Sequence, residues 1–122
     1  MDDFELPAIR PVVWIGTSKK NLLGFPKGAQ KLIGDELQLI QFGEMPTNTK
    51  PFKGVGSGVF EIAIRYATDA YRAVLAVQLG EKIYVLHSFQ KKAKKGIATP
   101  KMDVDLIRQR YSEAKELAKY EQ

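Results

Sequence analysis

The chain contains no cysteine and only one histidine, His87. The first absence removes disulfide frameworks, cysteine-ligated zinc, iron–sulfur clusters and thiol catalysis, and the second removes any multi-histidine metal centre. Apolar runs are short, and none approaches the ~20 residues that a bilayer-spanning helix needs. The start, MDDFELPAIR, is acidic and interrupted by Pro7, so it does not read as a secretion signal. A soluble cytoplasmic protein working without metal or cofactor is expected. Acid is also missing from one long stretch: between Glu81 and Asp103 there is none, while lysine stands at Lys82, Lys91, Lys92, Lys94, Lys95 and Lys101.

What is present suffices for one packed core. With 122 residues, 44% apolar and 27% charged, residues 1–122 are expected to form a single domain, with 1–11 a flexible N-terminal segment. Charge is unevenly divided. Residues 1–49 carry five Lys/Arg against six Asp/Glu, residues 50–101 ten against three, and residues 102–122 four against five, so the net +5 originates in the middle. A field of one sign concentrated on one stretch attracts a polyanion, of which nucleic acid is the usual one. The plain alternative is a solvated lysine loop.

Periodicity places the elements. Val12 to Ile15 form a short apolar run ending at Gly16, suited to a starting or edge strand. Thr17 or Ser18 can cap a brief helix that stops near Gly24. Pro26 suits the first turn of a second helix, in which Ala29, Ile33, Leu37 and Ile40 make one apolar face. The segment GEMPTNTKP from Gly43 reads as a loop. The period then changes to two in VFEIAIRYA and YRAVLAVQL, and KIYVLHSF adds a third strand across a two-residue Gly80-Glu81 turn. PFKGVG is a weak candidate for another strand. Thr99-Pro100 opens a final helix with Val104, Ile107, Tyr111, Ala114 and Ala118 on one stripe. The expected fold class is α+β, with the helices packed against one face of an antiparallel sheet of three to five strands.

Register then suggests a site. With Thr68-Asp69 as a two-residue loop, Arg65 stands directly across from Arg72 on the face away from Ile62 and Leu75, an arrangement that like charges disfavour. The Gly80-Glu81 turn places Arg72 opposite Phe89 and Val74 opposite His87. Forked guanidinium donors can bind phosphate, an aromatic ring can stack a base, and an imidazole near cations stays neutral and able to accept a proton. The competing reading pairs each arginine with Glu61, Asp69 or solvent and makes His87 a satisfied core histidine. Lys91, Lys92, Lys94 and Lys95 follow the strand end, where they can hold phosphate or protonate a leaving oxygen. Lys50 and Lys53 can rim the same cleft. GVGSG lacks the remainder of a phosphate loop, and the acids show no metal-ligand spacing.

The succession KPFKGVGSGVFEIAIR, AYRAVLAV, IYVLHSFQKKAKKGIATP and a closing helix resembles the phage-derived, HigB-like or Tad branch of the RelE/ParE superfamily of type II toxin–antitoxin toxins. It covers roughly residues 12–115. The resemblance implies a RelE-like fold and a metal-independent, ribosome-dependent mRNA endonuclease held off by a cognate antitoxin, often of helix-turn-helix type, with a dimer or a heterotetramer with antitoxin as the assembly. It implies that Arg72 contacts the scissile phosphate, that Lys91 and Lys92 supply a transition-state or acid group, and that Arg65, Lys53 and His87 occupy family positions. With Lys50, Phe89, Lys94 and Lys95 on the RNA, these complete the expected site, with Arg72, His87, Lys91 and Lys92 catalytic. The expected tyrosine after the basic run is missing. A toxin that binds gyrase or another target without cutting RNA, and an inactive antitoxin-binding homologue, are the alternatives.

Overall fold

The computed structural model describes residues 8–91 and 98–121. Eight elements follow in order: β1 (Val12–Trp14), α1 (Ser18–Leu23), α2 (Lys27–Gln41), β2 (Thr49–Pro51), β3 (Val59–Tyr66), β4 (Asp69–Ala76), β5 (Ile83–Lys91) and α3 (Lys101–Lys119). The strands form one sheet in the order β1-β5-β4-β3-β2, with β1 parallel to β5 and every other pair antiparallel. This α+β architecture is consistent with a RelE-like fold.

The helices occupy both faces of the sheet, not one as expected. Ala29, Ile33, Leu37 and Ile40 of α2 pack with Leu22 of α1 against Ile62, Ile64, Ala73, Leu75 and Val85. On the opposite face Ile107 and Ala114 of α3 pack against Val74, Ala76, Tyr84, Leu86 and Phe89. The reason is readable in β5. Its run IYVLHSF is apolar at both parities, and a strand inside a sheet covered on both faces needs that continuity where a half-exposed strand alternates.

Three local expectations are corrected. The segment after Gly43 is not all loop, because Thr49, Lys50 and Pro51 pair with Ile62, Glu61 and Phe60. Pro51 is tolerated because β2 is an outer strand. The β3–β4 turn is Ala67-Thr68, closed by the Tyr66–Asp69 pair, so Arg65 faces Ala70 and Arg72 faces Ala63. Ala67 accordingly takes a left-handed φ of 57°. The β4–β5 connection is Val77–Lys82, not a two-residue turn.

Arg10 explains the longer connection: its guanidinium donates to the carbonyls of Val77 (2.6 Å), Glu81 (3.0 Å) and Lys82 (3.3 Å). Of the segment 1–11, expected to be flexible, residues 1–7 lie outside the described range, whereas the Arg10 backbone is bonded to Gln41 through both its N–H and its carbonyl.

Candidate functional site

β5 departs from a regular ladder at one point that decides the site. Val74 pairs with His87 but Leu75 pairs with Val85, so Leu86 is an extra residue, a β-bulge. The longer loop shifts the register by one, and the bulge shifts it back. The expected pairs Arg72–Phe89 and Val74–His87 are therefore present, for a reason the sequence did not reveal. The bulge also puts the consecutive residues Leu86 and His87 on the α3 side.

His87 is consequently covered by α3 and 5% exposed. Its Nε2 lies 2.7 Å from Asp103 Oδ1, and its Nδ1 lies 3.5 Å from Arg110 Nη1. An arginine only donates, so Nδ1 accepts and Nε2 carries the proton. Burial holds the imidazole below its ordinary range, opposed by the neighbouring Asp103 carboxylate and assisted by the Arg110 cation. Arg110, itself 8% exposed, also donates to the carbonyl of the bulged Leu86 at 3.0 Å and to Thr17 Oγ1 at 2.9 Å. Phe89 is 8% exposed and stacked on His87 at 4.9 Å and 14°. Both nitrogens of His87 are thus occupied, and the Phe89 ring packs in the α3 core.

Arg65 and Arg72 share the α3 side of the sheet, diagonal to one another and beyond the part α3 covers. Arg65 is exposed. Arg72 is mostly buried; its Nη1 donates to Glu61 Oε1 at 3.0 Å, and its Nε is enclosed without a hydrogen-bond partner among the described residues. Glu61, 6% exposed, lies beside Arg72 because it is two residues along β3 from Ala63, the residue opposite Arg72. Lys50, across β2 from Glu61, is 3.7 Å from the same carboxylate. Lys91 ends β5 nearby, and burial followed by the Arg72 and Lys50 cations pulls its ammonium below the usual lysine range, against Glu61.

These side chains surround an open hollow of about 370 Å³ whose walls include Lys50, Lys53, Glu61, Arg72 and Lys91 and whose rim includes Thr99, just before α3. It brings together four of the residues expected from the sequence: Arg72, Lys91, Lys50 and Lys53. Arg65 lies in an adjoining hollow that also includes Arg72. Lys92, Lys94 and Lys95 lie outside the described residues. Sequence reasoning noted Glu61 only as one possible counter-ion and missed Asp103 and Arg110. The shared parity of Glu61 and Arg65 along β3, which puts both on one face of the sheet, was the available signal for Glu61; Asp103 and Arg110 meet His87 only through tertiary packing. A further hollow at the opposite end of α3 holds Lys82, but Glu121 pairs with it at 3.1 Å and also accepts from the Tyr84 hydroxyl.

A two-sided α+β sheet carrying a basic hollow at its open corner is an architecture suited to a polyanion. The family model described as "Phage derived protein Gp49-like (DUF891)" matches residues 20–112. The chain belongs to this phage-derived family, which is a RelE/ParE-like toxin family. The match includes α2, the whole β2–β5 region and most of α3. No curated protein matches the chain. Among the described residues no helix is long and apolar enough to cross a membrane.

Proposed function

We propose that the chain is the toxin of a toxin–antitoxin pair, of the HigB-like or Tad type, and that it cleaves mRNA on the ribosome at the hollow around Arg72 without a metal. The observation that carries this reading is a mostly buried guanidinium with an unsatisfied Nε at an open hollow rimmed by lysines. Enclosing an unpaired donor is costly, and a phosphate that displaces Glu61 and turns the guanidinium towards the hollow gives that Nε–H an oxygen partner.

In this reading the 2′-oxygen forms a bond to the adjacent phosphorus while the bond from phosphorus to the 5′-oxygen breaks, leaving a cyclic phosphate and a 5′-hydroxyl. Arg72 stabilises the charge that develops on the phosphoryl oxygens. When phosphate displaces Glu61 from Arg72, the carboxylate loses its main counter-ion and becomes the base for the 2′-hydroxyl proton. Lys91, whose ammonium already gives up its proton more readily than an ordinary lysine, protonates the departing 5′-oxygen. Lys50, Lys53 and Arg65 hold flanking phosphates, with Lys92, Lys94 and Lys95 assigned to the same task. His87 and Phe89 act as positioning residues, because Phe89 is the cross-strand neighbour of Arg72 and His87 backs it.

The test is the Arg72→Ala variant, expressed without and with its antitoxin. Growth arrest by the parent chain with new mRNA 5′ ends on translating ribosomes, and neither with a folded variant, is expected. Arrest without new ends favours a binding poison; undiminished cleavage by the variant rejects the assignment of Arg72.

A further inference from the structure

The two outer strands of the sheet are guarded unequally. β2 carries Lys50 and Pro51, and charge and proline are common guards of an exposed edge. β1 reads VVW and carries neither. Its odd-numbered neighbours face β5: the Pro11 carbonyl accepts from Ile83, and the Ile15 amide donates to the Val85 carbonyl. Alternate residues of a strand turn their backbone groups to opposite sides. The N–H and carbonyl groups of Val12 and Trp14 therefore point away from β5, where no strand lies beside them among the described residues. The opening stops at Arg10, whose N–H and carbonyl are both engaged by Gln41.

This short edge is complementary to itself. A two-fold axis through Val13 sets two copies of β1 antiparallel, with Val12 of each opposite Trp14 of the other. Every outward N–H then meets an outward carbonyl, and Val13 meets its own copy at the close position between those pairs, about 4.5 Å apart at Cα. The side chains suit this register. Val12 and Trp14 lie on the α2 side, where they make aromatic–β-branched pairs across the axis, and Val13 lies on the α3 side. All three are only partly buried, so each has apolar surface left to cover. α3 extends the patch: Arg110 reaches Thr17 just beyond β1, which turns that flank towards β1, and Leu117, one heptad further along the flank, is 43% exposed. Charge does not oppose the union, because Lys50, Arg65 and Arg72 stand on β2, β3 and β4, across the sheet from β1. An unrelated strand can bond the same backbone groups, but no charge along β1 selects its side chains, whereas the chain's own copy matches in both backbone and side chains.

We infer that β1 is a self-association edge, at which two copies of this chain join β1 to β1 in one continuous sheet with Val13 on the two-fold axis. The basic hollow takes no part in the contact and stays open in both copies. The inference therefore stands apart from the proposed ribonuclease reading.

Sedimentation equilibrium of the full chain by itself, paired with residue-resolved amide exchange at low and high protein concentration, tests this. So short an edge should give a dimer with a Kd between about 10 μM and 1 mM. Exchange at the Val12 and Trp14 amides should slow at least about fivefold as the dimer fills. Val13→Lys and Val13→Glu should each weaken self-association by about tenfold or more, since like charges then meet on the axis. An equimolar mixture of the two should dimerise again, which also shows that both fold. Leu117→Glu, at an exposed position, should weaken the dimer by about threefold or more, and it decides the matter if the variants at position 13 do not fold. A chain still monomeric at about 1 mM, a dimer indifferent to Leu117→Glu or to folded Val13→Lys, or a mixture of folded position-13 variants that stays monomeric would overturn the inference. So would protection of Val12 and Trp14 that is independent of protein concentration, or concentration-dependent protection confined to β2 and β3.

Discussion

Replacing Asp103 with alanine isolates the contact that seats the start of α3 on the sheet. The His87 Nε2–H donates to Asp103 at 2.7 Å, and His87 is almost wholly enclosed. A hydrogen bond to a charged group contributes about 1.5–3 kcal/mol. The Asp103 side chain is 27% exposed, so water takes over part of the lost interaction and places the expected loss near 2 kcal/mol. For a chain of this length each kcal/mol moves the melting temperature by about 4 °C, which gives a decrease of roughly 8 °C for Asp103→Ala at neutral pH. Circular dichroism melts read this directly. Asp103→Asn keeps an acceptor oxygen and should lose about half as much. Residues 98–104 should exchange their amides faster in the alanine variant, because the first turn of α3 loses its tie to β5. A melting temperature within about 1 °C of the parent would refute the account, since an enclosed imidazole N–H would then be stable without its partner.

Other perturbations probe neighbouring parts of the molecule. Because burial lowers the His87 pKa below its ordinary 6.5, the unfolded chain takes up that proton first as pH falls through 6.5. The stability difference between the parent and His87→Gln, measured by urea unfolding, should therefore be constant above that pH. It should shrink below it until the folded imidazole also protonates; a difference that stays constant in acid contradicts this. Gly16→Ala places a methyl group 2.8 Å from the buried Arg110 Nε at a φ of 56°, and should destabilise the fold by about 2–4 kcal/mol in the same unfolding assay, a loss under about 0.5 kcal/mol being incompatible with the contact. On the proposed chemistry, Lys91→Ala should slow RNA cleavage by about a hundredfold or more. Lys91→Arg should keep RNA affinity without restoring the rate, and rate recovery with arginine would exclude Lys91 as the acid.

Much of the architecture was legible in local patterns. The spacing of Ala29, Ile33, Leu37 and Ile40 identified the buried face of α2, and the change to period two marked β3 and β4, because both signals are set by backbone geometry acting over a few residues. Arg72, Lys91, Lys50 and Lys53 were likewise chosen from residue type and approximate register, and the structure brings them to one hollow. The strand Thr49–Pro51 was not legible, since three residues carry almost no periodicity and pair only because β3 offers an edge.

The amino-acid order alone determined the helices and the longer strands and where positive charge accumulated along the chain, whereas the short strand Thr49–Pro51 formed through its pairing with β3. Tertiary structure decided which of those charges meet. A one-residue bulge at Leu86 turned His87 beneath α3, where Asp103 and Arg110 engage both its nitrogens; the pairing of β3 with β2 and β4 set Glu61 between Lys50 and Arg72. Side-chain direction in a sheet reverses with each single-residue shift of register, and a long-range contact has no periodic trace in the segments it joins, so these arrangements emerge only when the strands and α3 assemble.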